Sequence, residues 1–208
     1  MKATEAIVFD AFIKYITDRV SISDKERDTV IAVSSIKRLR RKQYLLQEGD
    51  VWKLIAFVVK GCLRTYTVDA RGIEHINSFA TENWWAGDRE SLLTGKPSIY
   101  NIDAIEDSEI LLITHDNYNM LCREIPAFNQ MVTDIHNKSF ISAQKRINVA
   151  ISYTAEQKYA AFIESYPQLV NRVPLHMIAS FLGITPETLS RMRKTTAKNN
   201  SSPTDSYS

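Results

Sequence analysis

The sequence predicts an α+β protein in which an antiparallel β-roll is followed by one long helix and a C-terminal helix-turn-helix. Three observations carry this reading. Short runs rich in β-branched and aromatic residues follow one another from residue 44 to residue 80, separated by turns that contain glycine. From Pro126 onward, apolar residues recur at spacings of three, four and seven. Residues 175–194 then place apolar side chains on both sides of a single glycine, in the pattern that packs two short helices together.

The opening segment, residues 5–36, reads as helical. Ile7, Phe9, Phe12, Ile13 and Ile16 fall near helical spacing, and Ser23-x-x-Glu26 is a capping box that opens a second helix running to Val33. The period then shortens toward two. Strands are expected over 44–47, 54–59, 62–68, 73–80 and 110–114. Glu48-Gly49-Asp50, Lys60-Gly61 and Asp69-Ala70-Arg71-Gly72 supply turn residues at the reversals. Many short strands at this spacing make an antiparallel roll or barrel. Between Trp84 and Asn101 the alternation breaks, and Gly87 and Gly95-Lys96-Pro97 mark irregular structure around a helical turn at 89–93.

Helical periodicity returns at Asn117, and Pro126 suits the first position of a long helix. Phe128, Val132, Ile135, Ser139, Ser142 and Val149 form a stripe close to a heptad seam. A helix of this length needs burial along it, supplied either by its own domain or by a second copy of the chain; a dimer seam is the expectation carried forward. A break at Ser152-Tyr153-Thr154 leads to a helix over 155–165, ended by Pro167, and residues 168–173 form a connector or a short strand. The expected division is 1–125 for the roll with its N-terminal helices, 126–150 for the dimerisation helix, 151–196 for the helix-turn-helix domain and 197–208 for a disordered tail.

The stretch from Leu175 to Lys194 is the most specific. Ile178, Leu182, Ile184, Leu189 and Met192 occupy the positions that pack two helices across a tight turn. Ala179 is small where the second helix must approach, and Gly183 permits the sharp turn. Thr185 can cap the second helix, and Pro186 takes its first position, where a missing N–H does no harm. The solvent face then offers Glu187, Thr188, Ser190, Arg191 and Lys194. Glu187 can accept from cytosine N4, and Arg191 can donate two bonds to guanine O6 and N7. Standing four apart, they share one helix face. An intrahelical Glu–Arg pair is the plainer alternative, but the apolar spacing, Ala179 and Gly183 agree on recognition of double-stranded DNA. Between Asn171 and Asn200, Arg172, Arg191, Arg193, Lys194 and Lys198 face a single acid, Glu187, although the whole chain carries only +2. That local surplus suits phosphates.

Other classes fit poorly. No apolar run approaches the roughly 20 residues of a membrane span, and residues 1–10 lack a secretory pattern, so a cytoplasmic chain without a membrane partner is expected. Cys62 and Cys122 form no C-x-x-C pair, and an iron–sulfur centre wants about four ligands. His75, His115, His136 and His176 make no metal-ligating pair. No nucleophile elbow or phosphate loop is present. Neither an enzyme, nor a metal site, nor a resident cofactor is expected.

The order of β-roll, long helix and C-terminal helix-turn-helix, from about residue 34 to 194, resembles the catabolite-activator (Crp–Fnr) family of bacterial regulators. The resemblance implies a cyclic-nucleotide-binding-like roll of the double-stranded β-helix type, a homodimer joined through residues 126–149, and RNA polymerase as a partner. It also implies that Glu187 and Arg191 contact bases, that Thr188 contacts phosphate, and that residues 83–107 form the segment that holds the cyclic phosphate in nucleotide-binding members.

In that segment the chain departs from the family pattern. Gly87-Asp88 stands where Gly-Glu is usual, and Ser98 and Ile99 stand where the phosphate-binding Arg and its neighbour belong. Loss of that Arg removes the charge-assisted bonds that offset desolvation of a buried phosphate. Arg89 lies nearby at a different offset, and Ser142 falls where members place a ligand-contacting hydroxyl. A cyclic nucleotide is therefore not the expected effector; an unidentified small molecule, or none, is. The alternatives are a cyclic-nucleotide regulator with a non-standard pocket and a protein-interaction module without specific DNA binding. No β-hairpin wing is expected after Lys194, and Pro186 replaces a residue that is often basic.

Overall fold

Residues 3–199, with the side chains of residues 5–193, are described by a computed structural model. Helix α1 (Ala3–Thr17) buries Val8, Phe12, Tyr15 and Ile16, one face at helical spacing. Helix α2 (Asp24–Ala32) opens on the expected capping box, with Ser23 Oγ accepting from the Glu26 amide and the Glu26 carboxylate accepting from the Ser23 amide. The helical reading of residues 5–36 runs too far: Ser34–Leu39 is strand β1, paired with β8 (Ser108–Thr114). Four charged or hydroxylic residues in β1 hide its period, and the pairing partner some 70 residues away decides its state.

The roll consists of eight strands. Besides β1 and β8 these are β2 (Tyr44–Leu46), β3 (Leu54–Lys60), β4 (Leu63–Val68), β5 (Glu74–Ala80), β6 (Trp85–Ala86) and β7 (Asn101–Ala104). They form two four-stranded antiparallel sheets, ordered β1-β8-β3-β6 and β2-β7-β4-β5. The β4–β5 turn is tied by Asp69 Oδ1, which accepts from the amides of Arg71 and Ile73. The short strand β6 falls in the segment that the sequence left irregular, and β7 begins where that segment ends, at a place where no strand was expected. Helix α3 (Arg89–Thr94) occupies the expected helical turn.

Alternation along β3 and β8 divides their side chains between two cores. Ala56, Val58, Ile110 and Leu112 point into the roll, where they meet Leu39, Leu46, Trp52, Leu63 and Ile102. Phe57, Leu111 and Ile113 point outward and are covered by Phe12 and Ile16 of α1, Leu121 of α4 (His115–Glu124) and Phe128, Met131 and Val132 of α5 (Pro126–Ser152). Phe128 and Val132, expected in a seam between two copies, thus belong to the core of their own unit, and Ile135 packs against the same cluster. Farther along α5, Ser139 and Ser142 are exposed and Val149 is half-buried.

The chain divides into two compact units, Met1–Phe140 and Ile141–Ser208, with α5 starting in the first and ending in the second. The second contains α6 (Ala155–Ser165), α7 (Leu175–Leu182) and α8 (Pro186–Asn199). Between α6 and α7, Pro167–Leu169 is a single 3-10 turn, so this stretch is a connector and not a strand. Tyr159, Phe162, Leu169, Val173, Ile178, Leu182, Leu189 and Met192 are buried there. Helix α8 runs through residues 197–199, where a disordered tail was expected; residues 200–208 lie outside the described residues.

Candidate nucleic-acid interface and sensor cassette

The α7–α8 turn follows from its residues. Gly183 adopts the left-handed conformation at φ 66°, which costs a β-carbon-bearing residue about 1 kcal/mol. Its amide donates back to the last turn of α7, and the Ile184 amide donates to the Ala179 carbonyl at 3.0 Å. Thr185 Oγ1 accepts from the Thr188 amide at 3.2 Å, capping α8, and Pro186 begins that helix. Ile178 and Ala179 of α7 and Leu189 of α8 are completely buried, and Met192 nearly so.

Burial of Leu189 and Met192 turns the opposite face of α8 outward. Thr185, Glu187, Ser190 and Arg191 are exposed and Thr188 is half-buried, with its hydroxyl accepting from that of Thr185 at 3.1 Å. The structure thus brings five of the six residues expected at a DNA interface onto the start of α8. The side chain of Lys194 lies outside the described side chains. One acceptor and one forked cation on a single exposed helix face can read base edges in a major groove.

In the cassette, four of the six expected residues, Gly87, Asp88, Arg89 and Ser98, have a definite contact. Gly87 sits at φ 146°, and a β-carbon there would approach Trp52 Nε1 to 2.5 Å. Buried Asp88 caps α3, its Oδ1 accepting from the amides of Glu90 at 2.9 Å and Ser91 at 3.3 Å. The Ser91 hydroxyl donates to the Lys96 carbonyl and accepts from the Trp52 amide at 2.9 Å. Ser98 is buried, with its hydroxyl accepting from the Tyr100 amide at 3.0 Å and its own amide donating to the Asp50 carbonyl at 2.8 Å. Ile99, by contrast, is exposed. Arg89 donates to His136 Nε2 at 2.7 Å. Ser142 is exposed on the part of α5 that belongs to the second unit.

Two arrangements carry no sequence signal. Arg64 on β4 and Asp103 on β7 are register partners, joined through Arg64 Nε at 2.7 Å and Nη2 at 2.9 Å. Glu74 bonds the same guanidinium, which lies over the Tyr66 ring at 4.1 Å. The pairing depends on strand order, which no local pattern encodes. The Arg89–His136 contact is likewise tertiary. Among the described residues no group of three His, Cys, Asp or Glu is placed to hold a metal ion. No described helix is long and apolar enough to cross a membrane.

Comparison with known proteins adds the following. The cyclic nucleotide-binding domain family matches residues 36–124. The regulatory protein HlyX of Actinobacillus pleuropneumoniae is 27% identical over 173 residues, covering 75% of this chain and 69% of that protein. The fumarate and nitrate reduction regulatory protein of Yersinia pestis is 26% identical over 173 residues, covering 75% and 66%. The structure of FixK2 from Bradyrhizobium japonicum has the same fold, with a TM-score of 0.70 and 16% identity over 84% of this chain and 90% of that one.

Proposed function

From a chain that belongs to the Crp–Fnr family of transcription regulators and carries a cyclic nucleotide-binding domain, we propose a homodimer that binds a palindromic DNA operator through α8 and acts on RNA polymerase. The observation that carries this is the exposure of Glu187, Ser190 and Arg191 on one face of a helix whose other face is locked to α7 by Leu189 and Met192. Two copies would enter successive major grooves about 34 Å apart. The dimer reading is supported by the outer half of α5, where Phe140, Ile147 and Ile151 are 65%, 60% and 80% exposed. Apolar side chains of that size favour cover by a second copy.

The roll is read as a sensor that has lost the usual cyclic-phosphate arginine. Ser98 and Ile99 bring no charge to that position, and the Asp88 carboxylate is spent on the α3 amides. These residues do not fit a cyclic phosphate, which needs a cation to offset its desolvation. The effector is then a small molecule of another kind, or the protein works without one. Relatives are regulatory proteins and not enzymes, and no catalytic role is assigned to this chain.

Selection of bound duplexes from a random DNA library tests the reading. Enrichment of a two-fold symmetric motif by the purified chain, lost in Glu187→Ala/Arg191→Ala, is expected. Absence of enrichment that cyclic AMP or cyclic GMP restores would reinstate a cyclic-nucleotide pocket. Absence of binding even at low salt would leave a protein-interaction module.

A further inference from the structure

The exposed side of α5 repeats at coiled-coil spacing. His136, Phe140, Ala143, Ile147 and Ala150 stand four, three, four and three residues apart. All but the half-buried His136 are exposed. Alternation of four and three places side chains along one seam of a helix pair. Two copies that present α8 to one duplex carry their recognition helices at the same end, so their α5 helices run parallel. About the two-fold axis each seam position then meets its own counterpart. His136 opens the seam, and apolar side chains follow it.

The same imidazole ends a bond from α3: Arg89 Nη1 donates to His136 Nε2 at 2.7 Å. A guanidinium can only donate, so the imidazole accepts and is unprotonated at Nε2. The surrounding groups bring no net charge to receive a proton there. On α4, Tyr118 feels the charge of Arg89, and Cys122 lies beside it; burial holds both above their ordinary values, so both stay neutral. On α5, Asp134 and Lys138 stand two residues to either side of His136, exposed and opposite in sign, and Asp134 accepts from Gln130 at 3.0 Å. Among the described residues no carboxylate forms an ion pair with Arg89 or His136. Burial and the Arg89 charge both disfavour the imidazolium.

We propose that the proton is an input to this protein: protonation of His136 breaks the α3–α5 bond, sets two cations of each copy beside the seam, and weakens the dimer and with it operator binding. This rests on the dimer reading of α5, and the test separates the two. A titratable imidazole facing its own counterpart across an apolar seam is the arrangement that couples an interface to pH. Loss of the second copy then removes the two-site grip on a palindrome. Self-association is measured by sedimentation at pH 7.5, 6.5 and 5.5 and fixed ionic strength, with circular dichroism at each pH to follow the fold. Operator affinity is measured by fluorescence anisotropy under the same conditions, on a selected operator. Wild type is compared with His136→Gln and Arg89→Gln.

The expected result is that the wild-type dissociation constant rises by about 10-fold or more from pH 7.5 to 5.5, as each copy's imidazole takes up a proton. Operator affinity should fall in step. His136→Gln, whose amide oxygen can still accept from Arg89, should hold one value across the range. Arg89→Gln, which removes the opposing charge, should move the fall to higher pH. Equal pH profiles for wild type and His136→Gln overturn the proposal. A wild-type dimer as tight at pH 5.5 as at 7.5 does the same. Dissociation that coincides with loss of the circular dichroism signal also overturns it, by assigning the effect to unfolding. At pH 7.5, Phe140→Ser/Ile147→Ser checks the α5 reading itself. If that variant associates as wild type does, the α5 reading fails and this one with it. Flat pH profiles in a dimer that the variant does weaken overturn this one alone.

Discussion

Arg89, on α3, donates from Nη1 to Nε2 of His136, on α5, across 2.7 Å. The bond ties the cassette helix to the long helix within the first unit, and it requires an imidazole that is unprotonated at Nε2. Burial, and then the charge of Arg89, hold the imidazole below its ordinary value of 6.5. The unfolded chain therefore binds more protons than the folded one in the window below 6.5. Stability from this group is complete above that value and is lost as pH falls through the lowered folded value. Because His136 is half-exposed, solvent screens the effect. Urea midpoints measured from pH 7.5 down to 5 should fall less steeply in His136→Gln than in wild type; parallel pH profiles would refute the link.

Asp103 and Arg64 form the most deeply placed ion pair, with side chains 7% and 11% exposed. Burial works against the charge on Arg64, but the bonds from Asp103 and Glu74 outweigh it and hold the guanidinium above its ordinary range. Asp103→Ala leaves that cation half-satisfied and should cost about 3 kcal/mol in urea unfolding. Arg64→Met combined with Asp103→Leu should recover most of the loss, because removing both charges avoids a stranded one. A single-variant cost under about 1 kcal/mol would mean that Glu74 alone suffices.

Gly87 and Trp52 meet where a β-carbon would lie 2.5 Å from the indole nitrogen, at φ 146°. Gly87→Ala should therefore destabilise the roll by about 2 kcal/mol, partly from backbone strain and partly from overpacking. In a Trp52→Phe background the overpacking share disappears, and the same substitution should cost less. Equal costs in both backgrounds would assign the whole effect to the backbone.

Phe140→Ser together with Ile147→Ser tests the proposed dimer. If a second copy covers these exposed side chains, each loses about 1.5–3 kcal/mol of burial. Self-association measured by sedimentation should then weaken by at least about 100-fold. Circular dichroism should stay unchanged, since neither residue contributes to the core of its own unit. An unchanged association constant would place the interface elsewhere.

Much of the molecule is legible in the sequence alone. The Ser23–Glu26 capping box, the start of α5 at Pro126, α6 over Ala155–Ser165 and the Gly183 turn all occur where the residues called for them. These features depend on groups no more than five residues apart, so their chemistry is complete in the local sequence. The start of α8 belongs with them: a hydroxyl cap, a proline and two buried apolar residues suffice to turn Glu187 and Arg191 outward.

Tertiary structure decided the rest, and for one reason: the deciding partner lies far along the chain. Residues 34–36 read as helix until β8 supplied a ladder to join. Strand β7 is four residues long and contains an acid, and it is a strand only because β2 and β4 flank it. Phe128 and Val132 carry the same spacing whether they face a second copy or their own domain; Leu121 and Met131 settled it for the latter. The pairs Arg64–Asp103 and Arg89–His136 are 39 and 47 residues apart. Spacing within a helix or turn is set by backbone geometry, whereas contact between distant residues is set by the order in which strands and helices pack.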